Sequence, residues 1–142
     1  MDTNKKDALK NKIRDALSMD YSGFLDKNLD FVKQLFRITK DGKIDVIVKD
    51  SVTGEQKIAL YLVGKLYAKE SELSITDEVD NSELMTQLGI RKGSLLPWLK
   101  SLRDSGVIHD TKIGKKTYHS IHASEMERVL KEIDKSLKRR IE

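Results

Sequence analysis

The 142-residue chain contains no cysteine, a single proline and no long hydrophobic run. The lack of cysteine excludes disulfides, thiolate zinc ligands and a cysteine nucleophile. No apolar segment approaches the roughly 18 residues that a membrane-spanning helix needs, and the charged amino-terminal stretch lacks the apolar core of a signal peptide. We therefore expect a cytoplasmic protein with no membrane partner, and a chain of this length can bury enough surface to fold as one domain.

Neither sign of charge dominates the whole chain, which has 27 Lys and Arg against 23 Asp and Glu. A net charge of +4 is too small to indicate a polyanionic partner by itself. The charge is uneven, however, because residues 54–90 have 3 cations and 7 anions whereas residues 91–142 have 13 and 7. A basic surface is therefore expected in the last third of the chain, above all within residues 91–122.

The first 53 residues are predicted to form a helical extension with one strand. Apolar residues at helical spacing predict a short amphipathic helix over 3–18 and a second helix from Leu25 to about Ile38. β-branched residues after the turn at Asp41 and Gly42 predict a six-residue strand over 43–48.

A strongly apolar helix is predicted to follow this extension. Thr53 is a plausible N-cap, and Gln56 three residues later completes a capping-box pattern. The helix is apolar nearly all round, so it should be the most buried element. A minimal strand is predicted at 73–75.

Two short helices and a hairpin are predicted next. The first helix starts at Asn81 or Ser82 and ends at Gly89, and the second ends just before Gly106, at the position where glycine terminates helices. Two strands, 107–112 and 117–121, then form a hairpin with a basic tip.

The segment 88–108 reads LGIRKGSLLPWLKSLRDSGVI. A Leu-Gly-Ile turn is followed by small polar residues, by leucines at helical spacing, and by a glycine with two apolar residues. This segment resembles the helix-turn-recognition-helix-strand signature of prokaryotic winged helix-turn-helix regulators, and the resemblance covers about residues 54–122. The residues that match in register are Leu88, Gly89, Ile90, Leu95, Leu99, Leu102, Gly106, Val107 and Ile108.

The resemblance implies a mostly α-helical protein with a small β-hairpin wing. The winged helix-turn-helix domain, 54–122, would lie between the amino-terminal extension, 1–53, and a carboxy-terminal amphipathic helix, 123–142. The implied function is a transcriptional regulator that binds double-stranded DNA through a recognition helix, 92–105, and a wing, 112–117.

The residues themselves indicate how such a domain would bind DNA. A helix that presents a polar face away from the core fits the major groove, which is about 12 Å wide. Lysines at the tip of the hairpin would contact phosphates and add salt-dependent affinity. The candidate DNA-binding residues are Arg91, Lys92, Ser94, Lys100, Ser101, Lys115 and Lys116.

Two residues of the predicted recognition helix do not suit base readout. Neither Leu96 nor Pro97 offers a side-chain hydrogen bond, and Pro97 is tolerated only if the helix begins near Ser94, because it lacks an N–H. An apolar tip suits a protein partner. A protein-interaction winged helix within a larger transcription or replication assembly is therefore the alternative, and binding to RNA or nucleoprotein stays open.

The last helix is predicted to form a homodimer. Its apolar residues Met126, Leu130, Ile133 and Leu137 alternate spacings of four and three, as in a coiled-coil seam. The alternative is that the helix folds back on its own domain and covers Leu25, Leu29 and Val32. The amino-terminal 50 residues are the other candidate for a dimer surface.

No catalytic or metal-binding pattern is recognisable in the chain. In a tight hairpin His109 pairs near Ser120, so it shares a face with His122 and not with His119. Trp98 is expected to pack on the core because of its helical spacing. No nucleophile with a base, and no phosphate loop, is present. We therefore expect a protein that is not an enzyme and has no cofactor or metal.

Overall fold

The computed structural model describes residues 2–17 and 22–141. This part of the chain has a mixed α/β fold with two small antiparallel sheets, and none of its helices is long and apolar enough to cross a membrane. In chain order the elements are α1 (Asp2–Leu17), α2 (Ser22–Lys27), α3 (Leu29–Val32), β1 (Phe36–Ile38), β2 (Ile44–Val46), α4 (Gly54–Glu70), β3 (Val79–Asp80), α5 (Asn81–Leu88), α6 (Lys92–Asp104), β4 (Ile108–Ile113), β5 (Lys116–Ile121), a short 3₁₀ helix (Ala123–Glu125) and α7 (Met126–Ile141).

Helix α4 is at the centre of the core. The predicted capping box is present, since Thr53 Oγ1 accepts a hydrogen bond from the Gln56 N–H and Gln56 Oε1 accepts one from the Thr53 N–H. Every residue from Ile58 to Ala68 is buried, as the apolar pattern predicts. The buried apolar side chains of the described residues form one cluster around this helix, from Leu25 to Ile133.

The first sheet corrects two expectations about the amino-terminal region. Residues Phe36–Ile38 are strand β1 and not the end of a helix, and they pair antiparallel with β2. The strand predicted over 43–48 is three residues long. The turn between the strands is closed by the Thr39 N–H, which donates to the Lys43 carbonyl at 2.9 Å. Residues 39–43 form the loop of a β-hairpin, because Ile38 pairs with Ile44. Phe36 on β1 packs its ring 5.8 Å from that of Tyr67 on α4.

The second sheet has the strand order β3-β5-β4. Ile113 pairs with Lys116, so only two residues form the hairpin turn. The first of these, Gly114, has a φ of +65°, as the first central residue of a type II′ turn requires. The strand predicted at 73–75 is wrong. The buried residue that joins the sheet is Val79, opposite His119, whereas residues 73–75 lie in a loop.

The ends of α5 and α6 are formed as predicted. Gly89 ends α5 with a φ of +64°. After α6, the Val107 N–H donates to the Leu102 carbonyl and the Gly106 N–H to the Arg103 carbonyl. This is the Schellman arrangement, in which glycine takes the left-handed position without strain.

Helix α6 begins at Lys92, where the recognition helix over 92–105 is predicted to begin. The condition stated for Pro97, a helix that starts near Ser94, is therefore not met, and Pro97 lies inside the helix rather than in its first turn. The proline ring removes the N–H that would bond the carbonyl of Gly93. This arrangement is tolerated because Gly93 is exposed, so water can hydrate its carbonyl.

Helix α7 folds back on its own chain. Met126, Leu130 and Ile133 are buried in the shared core, and Leu130 lines one cleft together with Phe24 and Phe31. This is the alternative that the sequence left open, although Leu29 stays half-exposed and is not covered. The apolar stripe of α7 is therefore occupied within the chain, and it is not available as a coiled-coil seam while the helix is packed in this way.

Candidate nucleic-acid interface

Helix α6 divides into a buried face and an exposed face, as its spacing predicts. Leu95, Leu99 and Leu102 are buried. Trp98 is half-buried, and its indole occupies the space where a Cβ on Gly54 would lie, which confirms its packing role. The exposed residues at the start of α6 and on its outer face are Arg91, Lys92, Gly93, Ser94, Leu96, Pro97, Lys100, Ser101, Arg103 and Asp104.

A groove of about 510 Å³ separates α6 from the hairpin of β4 and β5. Its apolar edge is formed by Leu96, which is 45% exposed, and by Pro97. Its opposite wall is polar. The remaining lining residues are Asn81, Leu99, Lys100, Arg103, Asp110, Thr117 and His119.

A network of polar side chains connects the walls of the groove. His119 is only 2% exposed. Its Nδ1 lies 2.7 Å from Asp110 Oδ1 and its Nε2 lies 2.6 Å from Asn81 Oδ1. The other oxygen of Asp110 accepts a hydrogen bond from Arg103 Nη1 at 2.6 Å. The network therefore ties both strands of the hairpin to the start of α5 and to α6.

This network was not anticipated from the sequence. The hairpin register places Asp110 directly opposite His119. That cross-strand pairing is the one signal in the sequence that could have predicted the contact between these two side chains. The contributions of Asn81 and Arg103 depend on how two helices pack against the sheet, which neither spacing nor composition indicates.

The candidate DNA-binding lysines differ in whether their charge is already paired. Lys100 donates to Asp104 Oδ2 at 2.8 Å, and this hydrogen bond together with the charge of Lys100 lowers the pKa of Asp104. Lys116 lies 3.6 Å from Asp80 Oδ2. Both pairs include an exposed lysine, so water and salt screen them and a phosphate can compete for either lysine.

Three other candidate cations are unpaired. Within the described ranges, Arg91, Lys92 and Lys115 have no ion-pair partner, and all three are exposed. The first two stand at the amino-terminal end of α6, and Lys115 stands at the tip of the hairpin. The two exposed hydroxyls of the candidate set, Ser94 and Ser101, lie on α6.

The tip of the hairpin lies beside the start of α5. Lys115, Lys116 and Thr117 line a depression of about 290 Å³ together with residues 80–82. Asp80 caps α5, because its Oδ1 accepts a hydrogen bond from the Glu83 N–H at 2.8 Å. The paired Lys116 therefore faces a carboxylate that already has a structural role.

A second polar cluster holds helix α5 against α4 and the first hairpin. Glu83 accepts hydrogen bonds from Tyr61 at 2.6 Å and from Lys43 at 3.1 Å, and Lys65 lies 3.5 Å away. The buried Lys65 also donates to the Gly42 carbonyl at 3.0 Å. Burial, reinforced by the Glu83 carboxylate, raises the pKa of Tyr61. This cluster fixes α5 to α4 and to the first hairpin, and it was also missed from the sequence.

The histidines are arranged as their strand positions predict. The rings of His109 and His122 lie 4.6 Å apart, and His109 Nε2 is 3.1 Å from Ser120 Oγ. His119 lies on the other face, in the groove network. Among the residues that the structure describes, no group of three or more side chains could hold a metal ion.

Comparison with family models, with curated proteins and with solved structures finds no match to this chain.

Proposed function

We propose that this chain is a winged helix-turn-helix protein that binds duplex DNA and regulates transcription as a homodimer in the cytoplasm. The order α4-β3-α5-α6-β4-β5, with strands arranged β3-β5-β4, supports a domain in which α5 and α6 are the helix-turn-helix pair and the hairpin is the wing. The observation that carries the proposal is the position of Arg91 and Lys92. Both cations stand at the start of α6 without an ion-pair partner among the described residues, and the basic tip of the hairpin lies across the groove from that helix.

The proposed contacts follow from the two positions of positive charge. In a helix-turn-helix domain the second helix enters the major groove and its first turn reaches the base edges. Arg91 and Lys92 suit guanine O6 and N7, and Ser94 suits several bases. Lys115 and Lys116 would contact phosphates, which add affinity without sequence information.

Binding to a random-sequence duplex tests this proposal by fluorescence anisotropy at low salt. The variants Lys92→Ala and Lys115→Ala/Lys116→Ala should weaken binding of any duplex. Each lost phosphate contact should also reduce the slope of log affinity against log salt by about 1. The matched control is Lys131→Ala, an exposed lysine on α7, which should leave both quantities unchanged. Binding that all variants leave untouched would contradict the assignment of these residues.

A second candidate function is a protein-interaction module within a larger transcription or replication assembly. The observation that favours it is the apolar edge of the groove, because Leu96 and Pro97 are exposed side by side. A pull-down that enriches one partner, and loses it on Leu96→Asp while the circular dichroism spectrum is retained, would support it. Retention of the partner by Leu96→Asp would remove this candidate.

A further inference from the structure

Helix α1 presents an apolar stripe with basic flanks. All side chains from Lys5 to Ile13 are exposed, including Leu9 at 58% and Ile13 at 50%. Successive residues of a helix are rotated by about 100°, so these two apolar residues share one face. Four lysines flank that face, and Asp7 lies on the opposite side. We call this surface the basic stripe: Leu9 and Ile13 with Lys5, Lys6, Lys10 and Lys12.

The segment after α4 presents the complementary surface. Residues 70–78 contain four carboxylates and no cation, and we call them the acidic loop. Ile75 at their centre is 99% exposed, and Leu73 beside it is also exposed. Lys69, just before the loop, lies 4.0 Å from Asp77. The apolar residues are thus surrounded by negative charge, as those of the basic stripe are surrounded by positive charge.

The acidic loop is held in place by the fold. Buried Lys65 donates to Ser74 Oγ at 3.3 Å, and that hydroxyl donates to the Thr76 carbonyl at 2.7 Å. The Leu73 N–H closes the end of α4 by donating to the Ala68 carbonyl at 2.9 Å. The exposed Ile75 is therefore presented on a fixed segment.

The backbone of the acidic loop includes a residue in an unfavourable conformation. Glu72 has a φ of +64°, which costs a residue other than glycine about 1–2 kcal/mol. Glycine would occupy this position at the end of α4 with less strain. A strained residue is consistent with a functional constraint, and the charge of Glu72 is what glycine could not supply.

We infer that the basic stripe of one chain docks on the acidic loop of a second copy, and that the same contact is made reciprocally. Opposite charge favours this pairing, and Leu9 and Ile13 would cover Leu73 and Ile75. A twofold arrangement makes the contact twice, which doubles the buried area and closes the assembly as a dimer. This contact would be the interface of the homodimer in the proposed function, and it rests on that part of the proposal. It uses no residue of the DNA-binding face, so the interface can fail while DNA binding stands, and DNA binding can fail while the dimer stands.

Sedimentation velocity of the full chain over a concentration series, without DNA, tests the interface. The wild-type chain should form a dimer whose dissociation constant rises with salt. Leu9→Asp and Ile75→Asp each affect both contacts and should weaken the dimer by at least about tenfold. Because both side chains are exposed, the circular dichroism spectra should not change. The matched control is Ile47→Asp, another exposed isoleucine, which should leave the dimer intact.

A charge-reversal pair tests the reciprocity. Lys5→Glu/Lys6→Glu/Lys10→Glu reverses three of the four stripe lysines and makes the stripe acidic, and Glu70→Lys/Glu72→Lys/Glu78→Lys reverses three of the four loop carboxylates and makes the loop basic. Each variant alone should be monomeric, because like charges then face each other at both contacts. An equal mixture should form a heterodimer, since one contact is restored with reversed signs and the other is the wild-type contact.

Three results would overturn the inference. The first is a wild-type chain that is monomeric at all concentrations. The second is a dimer that Leu9→Asp and Ile75→Asp leave intact. The third is a different occupant of the basic stripe, shown by protection of α1 from proteolysis by the acidic loop of its own chain or by sedimentation of the chain with anionic vesicles through α1.

Discussion

Replacement of His119 by alanine would remove the central member of the groove network. The substitution leaves Asp110 with Arg103 alone and leaves Asn81 without its partner. Asn81 and Asp110 are only partly buried, so each lost hydrogen bond costs about 0.5–3 kcal/mol, and truncation of the buried His119 ring adds a cavity. We therefore expect a loss of about 3 kcal/mol in the free energy of unfolding, measured by urea denaturation.

The same substitution should also affect DNA binding, since the network holds the hairpin against α6. His119→Ala should weaken binding of a random duplex even when the protein is assayed well below its urea midpoint. The matched control is His109→Ala on the same hairpin, where an exposed ring is removed and the expected loss is below about 1 kcal/mol. Equal losses for the two histidines, or a cost below 1 kcal/mol for His119→Ala, would refute the structural role given to the network.

Two further predictions concern stability. Burial raises the pKa of Tyr67 to about 12, so between about pH 10 and 12 the unfolded state loses this proton while the folded state keeps it, and stability falls as pH rises by about 1.4 kcal/mol per pH unit. Urea denaturation across this range should therefore show a smaller decline of the unfolding free energy with pH for Tyr67→Phe than for the wild-type chain. Identical slopes for the two proteins would contradict the assignment. Pro97→Ala restores a helical hydrogen bond to Gly93 and should stabilise the chain by about 1–2 kcal/mol in thermal unfolding; a loss of stability would show that the proline relieves strain that the structure does not reveal.

Local signals predicted the elements whose ends are determined by neighbouring residues. The capping box at Thr53 and the helix-terminating glycines at 89 and 106 act within one turn of chain, so sequence alone locates them. The pairing of His109 with Ser120 follows from the tight turn of the hairpin. The exposed face of α6 follows from the spacing of its leucines, because a single buried face satisfies that spacing.

Contacts between distant segments determine the strands and ion pairs that the sequence did not predict. Leu35 and Phe36 fit the helical stripe of the preceding residues, and only the packing of Phe36 on Tyr67 together with the hairpin turn makes β1 a strand. The two-residue strand β3 is too short to carry a pattern of its own. The partner of Lys116, Asp80, could not be predicted for the same reason. The Lys100–Asp104 pair is different, because it joins residues four apart on one helix and is a local signal that the sequence does contain.

The salt dependence of duplex binding tests the central proposal most directly. On a random duplex, where no base is favoured, Arg91, Lys92, Lys115 and Lys116 would each neutralise about one phosphate, so the slope of log affinity against log salt should be between about −3 and −4 for each bound chain. Anisotropy titrations of the wild-type chain on random duplex between low and physiological salt would measure this slope. A slope between about −3 and −4 that decreases in magnitude on Lys92→Ala is the predicted result, and no binding at low salt, or a slope near zero, would contradict the proposal.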